Sequence, residues 1–225
     1  MKQTLGKLDE NFFSEFNKVY KFKKNQLVLW PQVEPAGVFY VKSGFVRQYL
    51  ISRNGKELTV NILKPHAYFP IIWTLNNIEN IYFYESLTDI TLFKAPKEEV
   101  VKQLENHPDL LYDLTKRTLS GLDGITRMME TLLTGSAYEQ IAAVVLVLAK
   151  RFGKSTNKNE VTIDIRLTHR LIGTLAGLSR ESTSLELGKL ARNKIISKKN
   201  GLILVNNLEK LEEESLVNPT DNIIL

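Results

Sequence analysis

Between residues 108 and 134, Leu111, Leu114, Thr118, Gly121, Ile125, Met128 and Leu132 recur at alternating steps of three and four. On a helix this spacing makes one narrow apolar line several turns long, and Pro108 suits the first turn because its missing amide is not needed there. A line so narrow is a seam, and it predicts a partner helix from a second copy of the chain across a twofold axis. The blander reading is a helix that only covers the chain's own amino-terminal part. Thr118 and Gly121 would allow close approach, although Gly121 and Gly124 each weaken the helix by about 1 kcal/mol relative to Ala.

Ahead of the seam, residues 27–29, 38–41, 46–51, 58–63, 81–84 and 90–93 are short β-branched and aromatic runs broken by turn residues. That spacing predicts an antiparallel roll or barrel. Asn54-Gly55 predicts a tight hairpin because both residues tolerate positive φ, and Ser43-Gly44 reads as another turn. After Ala95-Pro96 a short helix is expected over 97–105. Thr134-Gly135-Ser136 is the best domain boundary, with Ser136 as N-cap of a helix over 137–152 that is apolar almost all round and so the buried centre of a second domain. Residues 153–160 read as a polar loop and 161–165 as a short strand.

The chain has no cysteine, which removes disulfides, thiolate nucleophiles, cysteine-ligated zinc and iron–sulfur clusters together. No apolar run is long enough to cross a bilayer, and residues 1–9 lack the apolar stretch of a signal peptide. A cytoplasmic protein with no membrane partner is expected. The formal charge of +5 is unevenly spread: residues 136–205 hold twelve Lys and Arg against five Asp and Glu, while the tail beyond them is acidic. A surplus placed there suits a polyanionic partner, though a solvated face can look the same.

Within that basic segment, Thr168 can cap a helix carrying Leu171, Ile172 and Leu175 on one face, and Ala176-Gly177-Leu178-Ser179 then breaks it. Ser179 starts the next helix. Two short helices joined by such a turn form a helix-turn-helix, whose second helix lies in the major groove of double-stranded DNA. Thr183, Leu187 and Leu190 must face the core, leaving Arg180, Glu181, Ser184, Leu185 and Gly188 outside. Arg180 can donate twice to a guanine edge, Glu181 can accept from a cytosine amino group, and Leu185 can touch a thymine methyl. Ser179 and Ser182 are placed for phosphate oxygens, and Thr168 and His169 at the start of the first helix are further expected DNA-binding residues. Downstream, Lys198-Lys199-Asn200-Gly201 is an Asn-Gly hairpin turn whose lysines would lie along the DNA backbone as a wing.

These residues resemble the Crp–Fnr regulators over nearly the whole chain. Leu167-Thr168, Leu171, Gly177-Leu178-Ser179-Arg180-Glu181-Ser182 and Leu190 are similar to the family's helix-turn-helix core. Val38-Phe39-Tyr40-Val41-Lys42-Ser43-Gly44-Phe45-Val46 and Leu63-Lys64-Pro65-His66-Ala67-Tyr68-Phe69 look like its strand pair and turn in the roll. The resemblance implies an α+β chain in three parts: an antiparallel β-roll like a cyclic-nucleotide-binding domain over 1–107, a dimerisation helix over 108–134, and a winged helix-turn-helix over 135–225. It also implies a homodimer on a palindromic site, with RNA polymerase as a further partner. Arg180 and Glu181 fall on base-reading positions of the family, and Ser179 and Ser182 on phosphate-facing ones. Leu185 stands where the family has a further base-reading Arg, so an altered half-site is expected.

The roll departs from the family as well. The stretch matching the cyclic-nucleotide cassette contains no cation, and no Lys or Arg occurs from Pro65 to Phe93. A buried phosphate would be poorly held there, so cyclic AMP is not an expected ligand. Phe69, Trp73, Tyr82 and Tyr84 could line a pocket for an apolar or aromatic effector, or simply be core. His66, His107 and His169 share no metal-ligand spacing, His66 has no evident second ligand for a haem, and no nucleophile–base pair appears. No metal, no cofactor and no catalysis are expected. The competing reading of the same fold is an effector-sensing or partner-binding module that has lost specific DNA readout, a doubt fed by Leu185 and Gly188.

Overall fold

The computed structural model describes residues 8–157 and 159–215. Residues 1–7, part of the stretch read for a signal peptide, and residues 216–225 of the acidic tail lie outside the described residues. The chain divides into two compact units, residues 1–116 and 117–225.

The first unit begins with α1 (Glu10–Ser14) and continues through β1 (Val19–Phe22), β2 (Leu27–Leu29), β3 (Val38–Ser43), β4 (Val46–Ile51), β5 (Glu57–Leu63) and β6 (Tyr68–Phe69). After α2 (Ile71–Asn76) come β7 (Phe83–Ser86), β8 (Ile90–Ala95), α3 (Lys97–Asn106) and the start of α4 (Pro108–Thr134). Its strands make two antiparallel sheets, ordered β1-β8-β3-β6 and β2-β7-β4-β5.

Val38, Phe39, Tyr40 and Val41 are all buried because β3 is covered on both faces. Side chains alternate across a strand. Phe39 and Val41 therefore join Val46, Phe69, Tyr84 and Leu92 inside the roll, while Val38 and Tyr40 join Phe13, Phe93, Val100, Leu104 and Leu114 beneath the helices. Each such side chain contributes about 1.5–3 kcal/mol by leaving water. Inside the roll Phe69 stacks between Phe39 and Tyr84, with ring centroids 5.5 and 4.7 Å away.

In the second unit, α4 is followed by α5 (Ala137–Phe152), β9 (Gly153–Asn157), β10 (Glu160–Ile163), α6 (His169–Ala176), α7 (Arg180–Arg192), β11 (Ile196–Lys199), β12 (Leu202–Val205) and α8 (Leu208–Glu214). Ser136 and Glu139 form a reciprocal capping box at the start of α5, satisfying two amides that the helix cannot. Ile141 to Ala149 are buried on every face because α6, α7, α8 and the β9–β10 hairpin all pack on α5.

Several expectations need correction. Gly153 to Asn157 form a strand paired with β10, not a loop; the pairing is made by backbone groups, so it needs no apolar pattern. The short elements β1, α1, α2 and α8 were not foreseen. Asn200 and Gly201 both adopt positive φ, as a two-residue hairpin requires. At Asn54-Gly55 only Gly55 does, and Ser52 and Lys56 close a wider turn.

Burial along the predicted seam is uneven. Leu114 and Met128 are buried within the folded chain, together with Gly124 and Thr131, whereas Leu111, Thr118 and Ile125 are exposed and Gly121 and Leu132 half-buried. The exposed apolar stripe runs through Leu111, Leu122, Ile125, Met129 and Leu133, about a sixth of a turn round the helix from the predicted line.

Candidate nucleic-acid interface

Thr168 accepts the Leu171 amide at 3.1 Å and so caps α6, fixing where that helix begins. It ends at Gly177, whose φ of 70° closes the helix with little of the strain a side chain would bring. Ser179 then accepts the Ser182 amide at 3.1 Å and caps α7. The Thr183 hydroxyl donates to the Ser179 carbonyl at 2.8 Å. With Thr183, Leu187 and Leu190 buried, α7 can rotate no further, and Arg180, Glu181, Ser184 and Leu185 are left exposed. Gly188 is half-buried on the same helix. Glu186, which the sequence reading did not single out, is buried and held by Lys189, whose Nζ donates to Oε1 at 2.9 Å and lies 2.7 Å from Oε2.

Lys198 and Lys199 are exposed on β11 beside the Asn200-Gly201 turn. The wing meets the first helix of the motif through Lys198 Nζ, 3.1 Å from His169 Nε2. Burial, Lys198 and Arg180 together hold the His169 pKa below the usual histidine value. Arg166, also passed over in the sequence, reaches the wing's turn: its Nε would stand 3.8 Å from a Cβ on Gly201. Its basic character was visible, but its neighbour 35 positions along the chain was not.

In the roll, Phe69, Trp73, Tyr82 and Tyr84 line a common cavity of about 150 Å³. Leu63, Ile71, Ile72 and Ile78 add apolar wall, and Gln48, Asn61, Glu79 and Asn80 supply the polar groups. Burial and the neighbouring Tyr82 keep the Tyr84 hydroxyl protonated well above the usual tyrosine range. The lining contains no Lys or Arg. Arg47, next to Gln48 and therefore on the other face of β4, is engaged elsewhere. Its Nη2 lies 2.8 Å from Glu57, its Nη1 3.6 Å from Glu85, and its Nε donates to Thr59 at 2.8 Å.

His66 pairs with the Tyr40 hydroxyl at 2.7 Å, and His107 with the Gln103 carbonyl at 2.9 Å. Among the described residues no group of three or more metal-ligating side chains occurs, and no helix is long and apolar enough to cross a membrane.

The Crp-like helix-turn-helix domain matches residues 139–214, and the cyclic nucleotide-binding domain matches residues 19–107. The chain belongs to the Crp–Fnr family. This Crp–Fnr chain is 26% identical over 181 residues to the global nitrogen regulator of Nostoc sp. (strain PCC 7120 / SAG 25.82 / UTEX 2576), covering 80% of this chain and 81% of that one. It is 28% identical over 202 residues to the transcriptional regulator SdrP of Thermus thermophilus, covering 89% and 95%.

Among solved structures, a CRP/FNR-family transcriptional regulator, also from Thermus thermophilus, superposes with a TM-score of 0.62 at 25% identity, over 88% of this chain and 98% of that one. A CooA mutant from Carboxydothermus hydrogenoformans shares the fold with a TM-score of 0.76 at 21% identity, over 96% and 97%. Like its relatives, this Crp–Fnr chain is a transcription regulator with a DNA-binding helix-turn-helix, and the relatives are regulators rather than enzymes. The roll, long helix and winged motif are the architecture expected from the sequence.

Proposed function

We propose that the protein works in the cytoplasm as a homodimer that binds an imperfectly palindromic DNA site, without cyclic-nucleotide control and without catalysis. The observation that carries this reading is the exposed face of α7, where Arg180, Glu181, Ser184 and Leu185 stand together beside two exposed wing lysines. Arg180 and Glu181 read bases; Ser179, Ser182, Thr168, His169, Lys198 and Lys199 hold phosphates. Leu185 replaces one guanine contact by an apolar one, so the half-site differs from one read by an arginine at that position. RNA polymerase is a further partner.

The functional parts are residues 1–107 for sensing, 108–134 for dimerisation and 135–225 for DNA binding. Two copies pair through the exposed stripe of α4, because its apolar side chains are otherwise left in water. Pairing sets the half-sites about one helical turn, or about 10 bp, apart. The roll takes an uncharged apolar or aromatic effector at Phe69, Trp73, Tyr82 and Tyr84. The cation-free lining supports this reading and disfavours a phosphate.

Selection of bound sequences from a random DNA pool tests the reading in one experiment. A two-fold symmetric consensus is expected. An asymmetric consensus would overturn the homodimer, and failure to enrich any sequence would favour a sensor or partner-binding module that has lost readout.

A further inference from the structure

His169 opens α6 and Lys198 stands on β11, yet their side chains meet at 3.1 Å. An ammonium group has no lone pair to offer, so the imidazole Nε2 is the acceptor, and only a neutral imidazole can accept. The charged groups facing His169 are Lys198 on the wing and Arg180 at the start of α7, and both are cations. Three elements thus bring two basic side chains and one imidazole to a single spot. Half-buried beside two cations, the ring is disfavoured from taking up a proton in the free protein.

We propose that His169 and Lys198 form a phosphate site whose occupation by DNA protonates His169, so that DNA binding takes up a proton at each half-site. The inference rests on the DNA-binding reading above. A backbone phosphate is the anion that this cluster attracts. When it docks, Lys198 donates to phosphate oxygen instead of to Nε2, and Nε2 must turn from acceptor to donor to share the same anion. The phosphodiester has no proton to give, so the proton comes from solvent. The negative charge now beside the ring favours the imidazolium, whose hydrogen bond to an anion is the stronger. DNA therefore raises the pKa that burial, Lys198 and Arg180 depress.

The sign follows from linkage: the complex holds the proton more tightly than the free protein does. Affinity rises as pH falls through the pKa of the complex, and levels off below that of the free protein. The limiting slope is about tenfold per pH unit for each His169 engaged.

The test is fluorescence anisotropy with a labelled random-sequence duplex at constant ionic strength, from about pH 8 to about pH 5.5, around the ordinary histidine pKa. Binding to the unaltered protein should tighten several-fold toward acid. His169→Gln should bind weakly and without that slope, and His169→Arg, a permanent cation, tightly and without it. Calorimetry in two buffers of different ionisation enthalpy should register net proton uptake, lost in both variants. DNA binding that is flat with pH in the unaltered protein, or a slope that survives in His169→Gln, would overturn this inference alone. No binding at any pH, by either the unaltered protein or His169→Arg, would overturn the DNA reading and this inference with it.

Discussion

Gly173 on α6 and Thr183 on α7 lie so close that a Cβ on the glycine would stand 2.7 Å from the threonine Oγ1. The same Cβ would lie 2.8 Å from the Leu178 carbonyl oxygen. Neither neighbour can yield, since Thr183 is fully buried and bonded to Ser179, and Leu178 O is backbone. Gly173→Ala should therefore destabilise the second unit by about 1–3 kcal/mol through overpacking, outweighing the roughly 1 kcal/mol that alanine offers a helix. Urea denaturation checks this, and a stabilised variant would contradict so close a crossing.

On the duplex recovered by selection, Arg180→Ala should cost about 1–3 kcal/mol and relax one base position, whereas Lys199→Ala should weaken all sequences alike and lower the salt slope by about one. Titrations against single-base variants at two salt concentrations separate the two effects. Unchanged affinity in Arg180→Ala would remove that residue from the reading face.

Met129→Glu or Leu122→Glu places a charge in the exposed stripe of α4 and should shift the protein toward monomer in analytical ultracentrifugation with its helix content intact. Leu114→Ala acts differently. It empties a buried site, should cost about 2–5 kcal/mol of stability, and should leave association unchanged. Monomers from Leu114→Ala alone would return the interface to the line read from the sequence.

Arg47 neutralises two glutamates on neighbouring strands. Arg47→Met should cost about 2 kcal/mol, less than the roughly 3–5 kcal/mol for breaking a fully buried pair, because both glutamates keep some water. Restored stability in a triple variant with Glu57→Gln and Glu85→Gln would show that the cost lies in the orphaned carboxylates.

Calorimetric titration with cyclic AMP should give no binding heat at micromolar ligand, because the cavity in the roll offers apolar rings and amides where a phosphate needs a cation. Micromolar affinity would refute the assignment of an uncharged effector.

The sequence revealed most where the energy is local. Ser136, Thr168 and Ser179 cap the helices that their side chains can serve within three residues, and Asn200-Gly201 turns as two residues free to take positive φ must. Thr183, Leu187 and Leu190 on the core face of α7 followed from helical spacing, though buried Glu186 did not, and the length of α4 followed as well. Asn54-Gly55 shows the limit of that reasoning, since there Ser52 and Lys56 set a wider turn and Asn54 keeps a negative φ.

What only the tertiary structure decided depends on partners far apart in the chain. Periodicity shows that α4 has an apolar line, but not which side the chain's own core will cover, and that coverage moved the free stripe onto Leu122, Met129 and Leu133. Residues 153–157 carry no apolar pattern, because their strand is made by backbone pairing with β10. The meeting of His169 with Lys198 spans 29 positions, and no local rule records it. Capping and turn energies belong to neighbours in sequence, whereas burial, pairing and charge proximity belong to neighbours in space, and the fold alone supplies those.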